Sequence, residues 1–369
     1  MHVRFLTIRN FRNYAKCRIE FSDKINVIVG NNGTGKTNIL EAISVVSNIK
    51  SFRGVPDTAM IKWGEAAYHC RIDAYNDGET VFEVGCAAGE GKTSKKVKID
   101  GVSIDMFSEY IGKFPTVVFS PADVLIISDS PDIRRRYFDS ILSRTSAVYY
   151  RTLVEFRKVL TARNKTLKMC KARGKVDTHE LSAWDTVFAR CASQLIEARG
   201  RFLEIYNPLF KESYARISDD DIAPSIEYIP SARGNDPEAI IEHLGTVSGR
   251  DFLYGTTTIG PQRDDFAFKG ERGALFNNYA SQGQKRTAAI ALKCAEGIYI
   301  DRLTGSRAVI MVDDVFSELD EKRRRNLLSM LDRGNQVVFT MVYPERMDFG
   351  SLSSCAFYST DGEGTVRTL

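Results

Sequence analysis

The stretch "INVIVGNNGTGKTNILEAISVV", residues 25–46, decides the fold class. It opens with a short β-branched run, Ile25 to Val29, that reads as a buried strand. Gly30, Asn31, Asn32, Gly33, Thr34, Gly35, Lys36 and Thr37 follow. An apolar periodicity through Ile39, Leu40, Ile43 and Val46 then predicts a helix. This is G-x-x-x-x-G-K-T between a strand and a helix, the context that a phosphate-binding loop requires. Glycines let successive backbone N–H groups turn inward around phosphate oxygens, and the helix N-terminus adds its partial positive charge. Lys36 is placed to reach the β and γ phosphates of a nucleotide, and the Thr37 hydroxyl to ligate Mg2+. A similar run, "GEGKTS" at 89–94, fails the same test. Its first glycine would have to stand at Cys86, and the residues that follow, "KKVKIDG", alternate as a strand does. Residues 80–102 are therefore expected to form a β-hairpin with a basic tip and no nucleotide.

The other half of a nucleotide site lies in "SRAVIMVDDVFSELDEKRRR", 306–325. Ala308 to Val312 is a continuous apolar run, as expected of a central parallel strand. It ends in Asp313 and Asp314. By itself an acidic strand end is an ordinary turn. Beside a complete phosphate loop, Asp313 is suited to the Mg2+ shell and Asp314 to orienting or deprotonating an attacking water. Asp is shorter than Glu, so slow turnover is expected. "SELD" follows at 317–320. A second apolar strand, Gln336 to Met341, comes after a helix carrying Arg323, Arg324 and Arg325, an order suited to a parallel sheet. A third stretch, "ASQGQKRTAAIAL" at 280–292, is a polar turn opening onto a helix. It has no nucleophile flanked by a base and no metal-ligand spacing.

The 369 residues are 43% hydrophobic and 27% charged, with a net charge of +4, which suits an ordinary globular protein with two lobes. No charged-then-apolar leader and no membrane-length apolar run is present. Seven cysteines, at 17, 70, 86, 170, 191, 294 and 355, are scattered without C-x-x-C. Free thiols in a reducing cytoplasm are expected, rather than disulfides or a zinc site. The fold class is α/β, a mixed sheet with helices and a mainly helical second lobe. Lobe I is expected over 1–120 and 300–369, with an antiparallel edge at 68–75, 80–86 and 95–100. Lobe II is expected over 121–299. Within it, Tyr149, Leu153, Phe156, Leu160, Leu167 and Cys170 step by three and four, with Arg163 interrupting. Leu181, Trp184, Phe188, Cys191, Leu195, Ala198, Phe202 and Ile205 do so unbroken. Two helices packed antiparallel and joined by a turn at 172–179 are predicted. Residues 218–237 read as a surface loop.

Residues 151–175 hold nine Lys or Arg against one acid, Glu155. Arg163, Lys165, Lys168, Lys171, Arg173 and Lys175 are the candidates for tracking a DNA backbone, against the plainer reading of a solvated helix face. No aromatic residues interleave with them, so duplex backbone contacts fit better than base stacking. The arginine triplets 134–136 and 323–325 read as intramolecular or interface residues.

Taken in order, the phosphate loop 30–37, "SQGQKR" 281–286, "VDD" 312–314 and "SELD" 317–320 resemble the ABC-type ATPases. Their SMC-like branch splits its nucleotide motifs across a helical insertion in this way. With "LTIRNFRNY" 6–14, "SFRG" 51–54, "VVFSPADVLII" 117–127, "SPDIRRRYFD" 130–139 and "TIGPQRDDF" 258–266, the whole chain resembles the RecF family of recombination mediators. The resemblance implies an ABC-type ATPase head and ATP with Mg2+ as cofactors. It also implies slow DNA-dependent hydrolysis and an ATP-driven homodimer. Ser281, Gly283 and Gln284 would grip the γ-phosphate held by the other subunit. Implied partners are DNA, as duplex or at a single/double-strand junction, and RecR, with RecO in the pathway. Two segments depart from the family pattern: Gln262, where His is usual, and "FTMVYPE" 339–345, in place of a Thr-rich segment. Other readings are a clamp of the same fold that does not turn over, and a small-molecule P-loop kinase, for which no acceptor site is visible.

Overall fold

Residues 1–89, 92–175, 178–218, 223–270, 273–331, 334–342, 355–361 and 366–368 are described by a computed structural model. They form two units. The first comprises Met1–Asp123, Arg216–Asp219 and Ile290–Leu369, and the second Val124–Ala215 and Asp220–Ala289. The last passage between units, at 289/290, falls inside a helix, whereas the sequence suggested a break near 299. The apolar periodicity of that helix runs through the passage and gives no mark of it.

The first unit begins with β1 (His2–Phe11), β2 (Tyr14–Glu20), β3 (Ile25–Val29) and α1 (Lys36–Asn48). It continues through β4 (Ala67–Tyr75), β5 (Glu79–Gly89), β6 (Lys92–Ile99), β7 (Val102–Ser103), α2 (Phe107–Tyr110) and β8 (Thr116–Phe119). The second unit holds α3 (Val124–Ser128), α4 (Pro131–Thr145), α5 (Ala147–Arg173) and α6 (Thr178–Ile217), whose last residues count with the first unit. It also holds β9 (Ser225–Ile229), α7 (Pro237–Tyr254), β10 (Asp265–Lys269) and α8 (Phe276–Tyr279). The chain returns along α9 (Gln282–Thr304) to β11 (Val309–Asp313), α10 (Glu321–Leu331), β12 (Val337–Met341), β13 (Cys355–Thr360) and β14 (Val366–Thr368).

Two sheets organise the first unit. One is antiparallel in the order β2-β1-β4-β5-β6-β7, and the other runs β14-β13-β3-β12-β11-β8. In the second sheet β13, β3, β12, β11 and β8 are parallel and β14 is antiparallel. Strands β11 and β12 are buried at every position, as continuous apolar runs must be in a parallel sheet covered on both faces. The antiparallel sheet alternates instead: Tyr68, Cys70, Ile72 and Ala74 of β4 point inward while His69, Arg71 and Asp73 are half-exposed. Helix α1 packs against strands of both sheets, and it is buried through Ile39–Ser47. Burial at nine consecutive positions means that the helix is enclosed on every side, its polar Glu41, Ser44 and Ser47 included. The hairpin expected at 80–102 is present as β5 and β6, with Phe82 opposite Ile99.

In the second unit α5 and α6 run antiparallel. Thr152 donates to Gln194 at 3.3 Å, the tilted rings of Phe156 and Phe188 have centroids 5.2 Å apart, and Thr166 donates to Glu180 at 2.9 Å. Ser146 caps α5 by accepting from the Tyr149 N–H, and Gly174 closes it in the left-handed conformation that glycine adopts without strain. Residues 225–229, read as loop from their Pro- and Asp-rich surroundings, form strand β9 and pair with β10. The side chain of Asn207 holds β9 to α6 by bonding both the N–H and the carbonyl of Ile226.

A buried charge network binds these elements. Arg199, 1% exposed, donates to Asp139 at 2.9 Å, to Asp264 at 3.0 Å and to the Pro261 carbonyl at 2.9 Å. Tyr149 donates to Asp139, and Tyr228 and the Ser231 N–H donate to Asp264. Buried charges persist only when paired and hydrogen-bonded. Replacing Arg199 by Ala leaves two buried carboxylates without their cation. A loss of about 3–5 kcal/mol is expected. Arg201→Ala removes only an exposed i,i+4 partner of Glu197 and should cost less than about 0.5 kcal/mol. Urea unfolding of the two variants checks the contrast.

Candidate nucleotide site

Strand β3 delivers the chain into the loop at Gly30, and α1 begins at Lys36. The residue before the helix, Gly35, is left-handed at φ 99 and has no side chain to cap the first N–H groups. Those donors are the ones an anion can take. Lys36 folds back over the loop and donates to the carbonyls of Gly30 at 2.6 Å and Asn31 at 2.8 Å. Burial lowers its pKa, and Asp314 and Asp313 oppose that shift. A bound polyphosphate would oppose it further.

Loop shape is set from outside the motif. Asn13 Nδ2 donates to the Thr34 carbonyl at 3.3 Å, Tyr14 Oη to the Gly35 carbonyl at 3.2 Å, and Asn38 Nδ2 to Asn13 Oδ1 at 2.8 Å. Arg12 makes a two-point contact with Glu41 of α1 at 2.8 and 2.7 Å, and Ser51 Oγ donates to the same carboxylate at 2.5 Å. On the other side Thr360 of β13 lies against Thr34 Oγ1 at 2.6 Å, and a Cβ on Gly30 would overlap it.

Strand β11 ends at Asp313, two strands from β3 across β12. Asp313 Oδ1 accepts from Thr37 Oγ1 at 2.7 Å and from Thr340 Oγ1 at 2.8 Å. This is a compact set of hard oxygen donors, the kind Mg2+ takes. Asp314 sits at φ 51, turned out of the strand direction, and its N–H donates to the Thr340 carbonyl. Burial raises its pKa from the ordinary aspartate value, and the neighbouring Asp313 adds to the shift. Two crowded carboxylates are an arrangement that a divalent cation relieves, so these residues fit Mg2+. Thr340 was not among the sequence candidates. Its signal was a lone hydroxyl inside the apolar run "VVFTM".

The stretch at 281–286 forms a reciprocal cap in the second unit. The Ser281 N–H donates to Gln284 Oε1 at 3.0 Å, and the Gln284 N–H donates to Ser281 Oγ at 3.2 Å. The Ser281 hydroxyl keeps its own proton to donate, and both it and Gln282 are exposed.

Comparison with known proteins gives one family throughout. Residues 2–353 match the model of the RecF/RecN/SMC N-terminal domain. The "DNA replication and repair protein RecF" of Listeria innocua serovar 6a is 31% identical, with all of both chains covered. That of Clostridium tetani is 34% identical over 92% of each chain. A solved structure of the recombination mediator RecF with ATPrS is 30% identical, covers 100% of this chain and 98% of its own, and has a TM-score of 0.90. The chain belongs to the RecF family. A Smc head domain from Pyrococcus furiosus, 16% identical with a TM-score of 0.56, shares the fold.

Within the RecF family pattern, "SPDIRRRYFD" and "TIGPQRDDF" meet in the second unit. Arg134 makes a two-point ion pair with Asp265 at 2.7 and 2.9 Å, and Arg135 donates to the Asp264 carbonyl at 2.7 Å. Arg136 pairs with Asp132 one turn away. Gln262 donates to the Ile259 carbonyl at 2.7 Å, and its Oε1 is buried with no partner among the described residues. Of the segment 339–345, residues 343–345 lie outside the described residues.

The basic helix needs one correction. Arg163 is 2% exposed and pairs with Asp185 at 2.6 Å and Asp251 at 2.8 Å, so it cannot meet DNA. It interrupts the heptad because it occupies a core position of that heptad, where only a paired charge is tolerated. Lys165, Lys168, Lys171, Arg173 and Lys175 are exposed.

The loop geometry predicts that Gly35→Ala destroys nucleotide binding while the chain still folds. A Cβ there meets Tyr14 Oη at 2.8 Å and Asn13 Oδ1 at 2.8 Å, in a backbone conformation that suits glycine. Titration calorimetry with ATP should give no measurable heat, and circular dichroism should be unchanged.

Proposed function

We propose that this chain is an ATP-dependent DNA-binding recombination mediator that hydrolyses ATP slowly, stimulated by DNA, and dimerises when ATP is bound. The observation that carries the reading is the uncapped start of α1 at Gly35, with Lys36 over the loop and the Thr37–Asp313 pair beside it. Lys36 supplies the point charge for the β and γ phosphates. Thr37 and Asp313 would hold Mg2+, which neutralises phosphate charge when bound. Asp314, next in the chain after Asp313, orients the attacking water and takes its proton. The relatives' names and the nucleotide in the RecF structures support ATP and repair chemistry here. RecR is the expected partner, with RecO in the same pathway.

Ser281, Gly283 and Gln284 lie in the second unit, and the P-loop belongs to the first. Their role is to cap a nucleotide carried by another copy. A two-fold dimer forms that site twice. ADP lacks the γ-phosphate and should not hold the dimer, so association reports nucleotide state.

Three variants test this. Lys36→Ala should lose ATP binding by calorimetry. Asp314→Asn should bind ATP yet turn over far more slowly, so that dimer accumulates in light scattering. Ser281→Arg should bind ATP and remain monomeric. A Ser281→Arg chain that dimerises normally with ATP would return the stretch to an ordinary helix cap.

A further inference from the structure

The antiparallel sheet of the first unit has one face on α1. Its other face carries a row that the strand register specifies. Lys16 lies opposite Arg9, Arg9 opposite His69, His69 opposite Gly85, and Gly85 opposite Lys96. Five strands thus contribute three cations, a histidine and a glycine to one line. The adjacent row adds Arg18 opposite Thr7 and Lys98 opposite Glu83. Arg9, Lys16, Arg18 and Lys96 are exposed. Arg9, Lys16, Arg18, Lys96 and Lys98 form no ion pair among the described residues. Of the acids on this face, Glu83 lies 3.3 Å from His69, Asp73 pairs with Arg71 at 2.7 Å and Glu79 with Arg4 at 2.8 Å, while Glu20, opposite Phe5, is exposed and forms no ion pair among the described residues.

Two features of the row work against the sheet's own stability. Like charges directly opposite, as at Lys16 and Arg9, destabilise a strand pair. A glycine inside a strand costs about 0.5–1 kcal/mol relative to alanine. Nothing in the fold requires Gly85. A Cβ there would meet only the Tyr68 carbonyl at 3.5 Å and His69 Cδ2 at 3.6 Å, which are ordinary contacts. A strand glycine that the chain itself does not need marks close approach by something outside it.

We propose that this sheet face is a contact surface for the phosphate backbones of duplex DNA, an inference that rests on the DNA-binding reading above. Charge complementarity selects the class of partner. Spacing selects the duplex. Arg9, Lys16 and Arg18 form one cation cluster, and Lys96 and Lys98 another. Arg9 and Lys96 stand three strand spacings apart, about 14 Å. The major groove of B-DNA is about 12 Å wide. The clusters therefore match the two backbones that border one groove, while Gly85 keeps the centre flat. The face belongs to the first unit and is separate from the lysines of α5 in the second.

The test uses the full chain with a non-hydrolysable ATP analogue and a DNA duplex several turns long, followed by anisotropy across a salt series. Arg9→Glu, Lys16→Glu and Lys96→Glu combined should lower the slope of log affinity against log salt by two to three, at about 0.9 per lost phosphate contact. Nucleotide affinity should be unchanged. Gly85→Phe keeps every charge but fills the flat centre, and should weaken duplex binding at each salt concentration. If the triple variant loses nucleotide affinity, Lys96→Glu alone and Gly85→Phe decide in the same way, with a slope smaller by about one expected for the former. Variants that match the parent in slope and affinity overturn the sheet-face proposal and leave the DNA reading standing; the face would then suit an acidic protein segment. A parent chain that binds no duplex overturns the DNA reading itself.

Discussion

Helix α1 is enclosed by two sheets, and that enclosure sets the nucleotide site. A helix packed on every side cannot tilt to find a cap in solvent, so its first N–H groups stay where β3 leaves them. Gly35 gives them no side-chain cap. The enclosing strands also carry the supports. The turn after β1 supplies Arg12 to Glu41 and Asn13 to the Thr34 carbonyl, and β13 supplies Thr360 to Thr34. Glu41 is fully buried and would be untenable in the core without Arg12 and Ser51. Loop geometry is thus fixed by residues far away in sequence.

The second unit solves a different problem with the same physics. Its helices and the antiparallel pair β9 and β10 meet around aromatic rings, Phe138 against Phe266 at 4.4 Å and Phe202 against Tyr206 at 4.7 Å. Beside them lies the Arg199 network, with Asp139 and Asp264 each satisfied from several sides. Apolar contact would hold these elements in many similar arrangements. Directional bonds to two carboxylates select one.

The site was legible in sequence where chemistry is local. The phosphate loop, its strand and helix, and Asp313 with Asp314 lie in short segments whose residue types have few other uses together. The antiparallel helix pair was legible from its periodicity, and so was the β5–β6 hairpin. What escaped was whatever depends on partners distant in the chain. Arg163 counted as one more cation in a basic run because Asp185 and Asp251 are not its sequence neighbours. Strand β9 was hidden by its flanks and exists because β10 pairs with it. Thr340 and Asn13 gained meaning only once β12 and the β1–β2 turn were placed beside the loop. Gly85 and Lys96 looked like parts of a basic hairpin until the register set them in line with Arg9 and Lys16.

Helix α9 shows how one element can serve two requirements. Its first turn is closed by Ser281 and Gln284 on each other's N–H groups, so the helix is stable without a ligand. The Ser281 oxygen is used there as an acceptor for the Gln284 N–H. Further along, the helix is buried in the first unit, where Gly297 faces Ile310 and Val117 of the parallel strands. A Cβ at that glycine would be in ordinary van der Waals contact with Ile310, so the packing there would also accept alanine. The cap is thus built into the end of a helix that continues into the core, not assembled from separate loops.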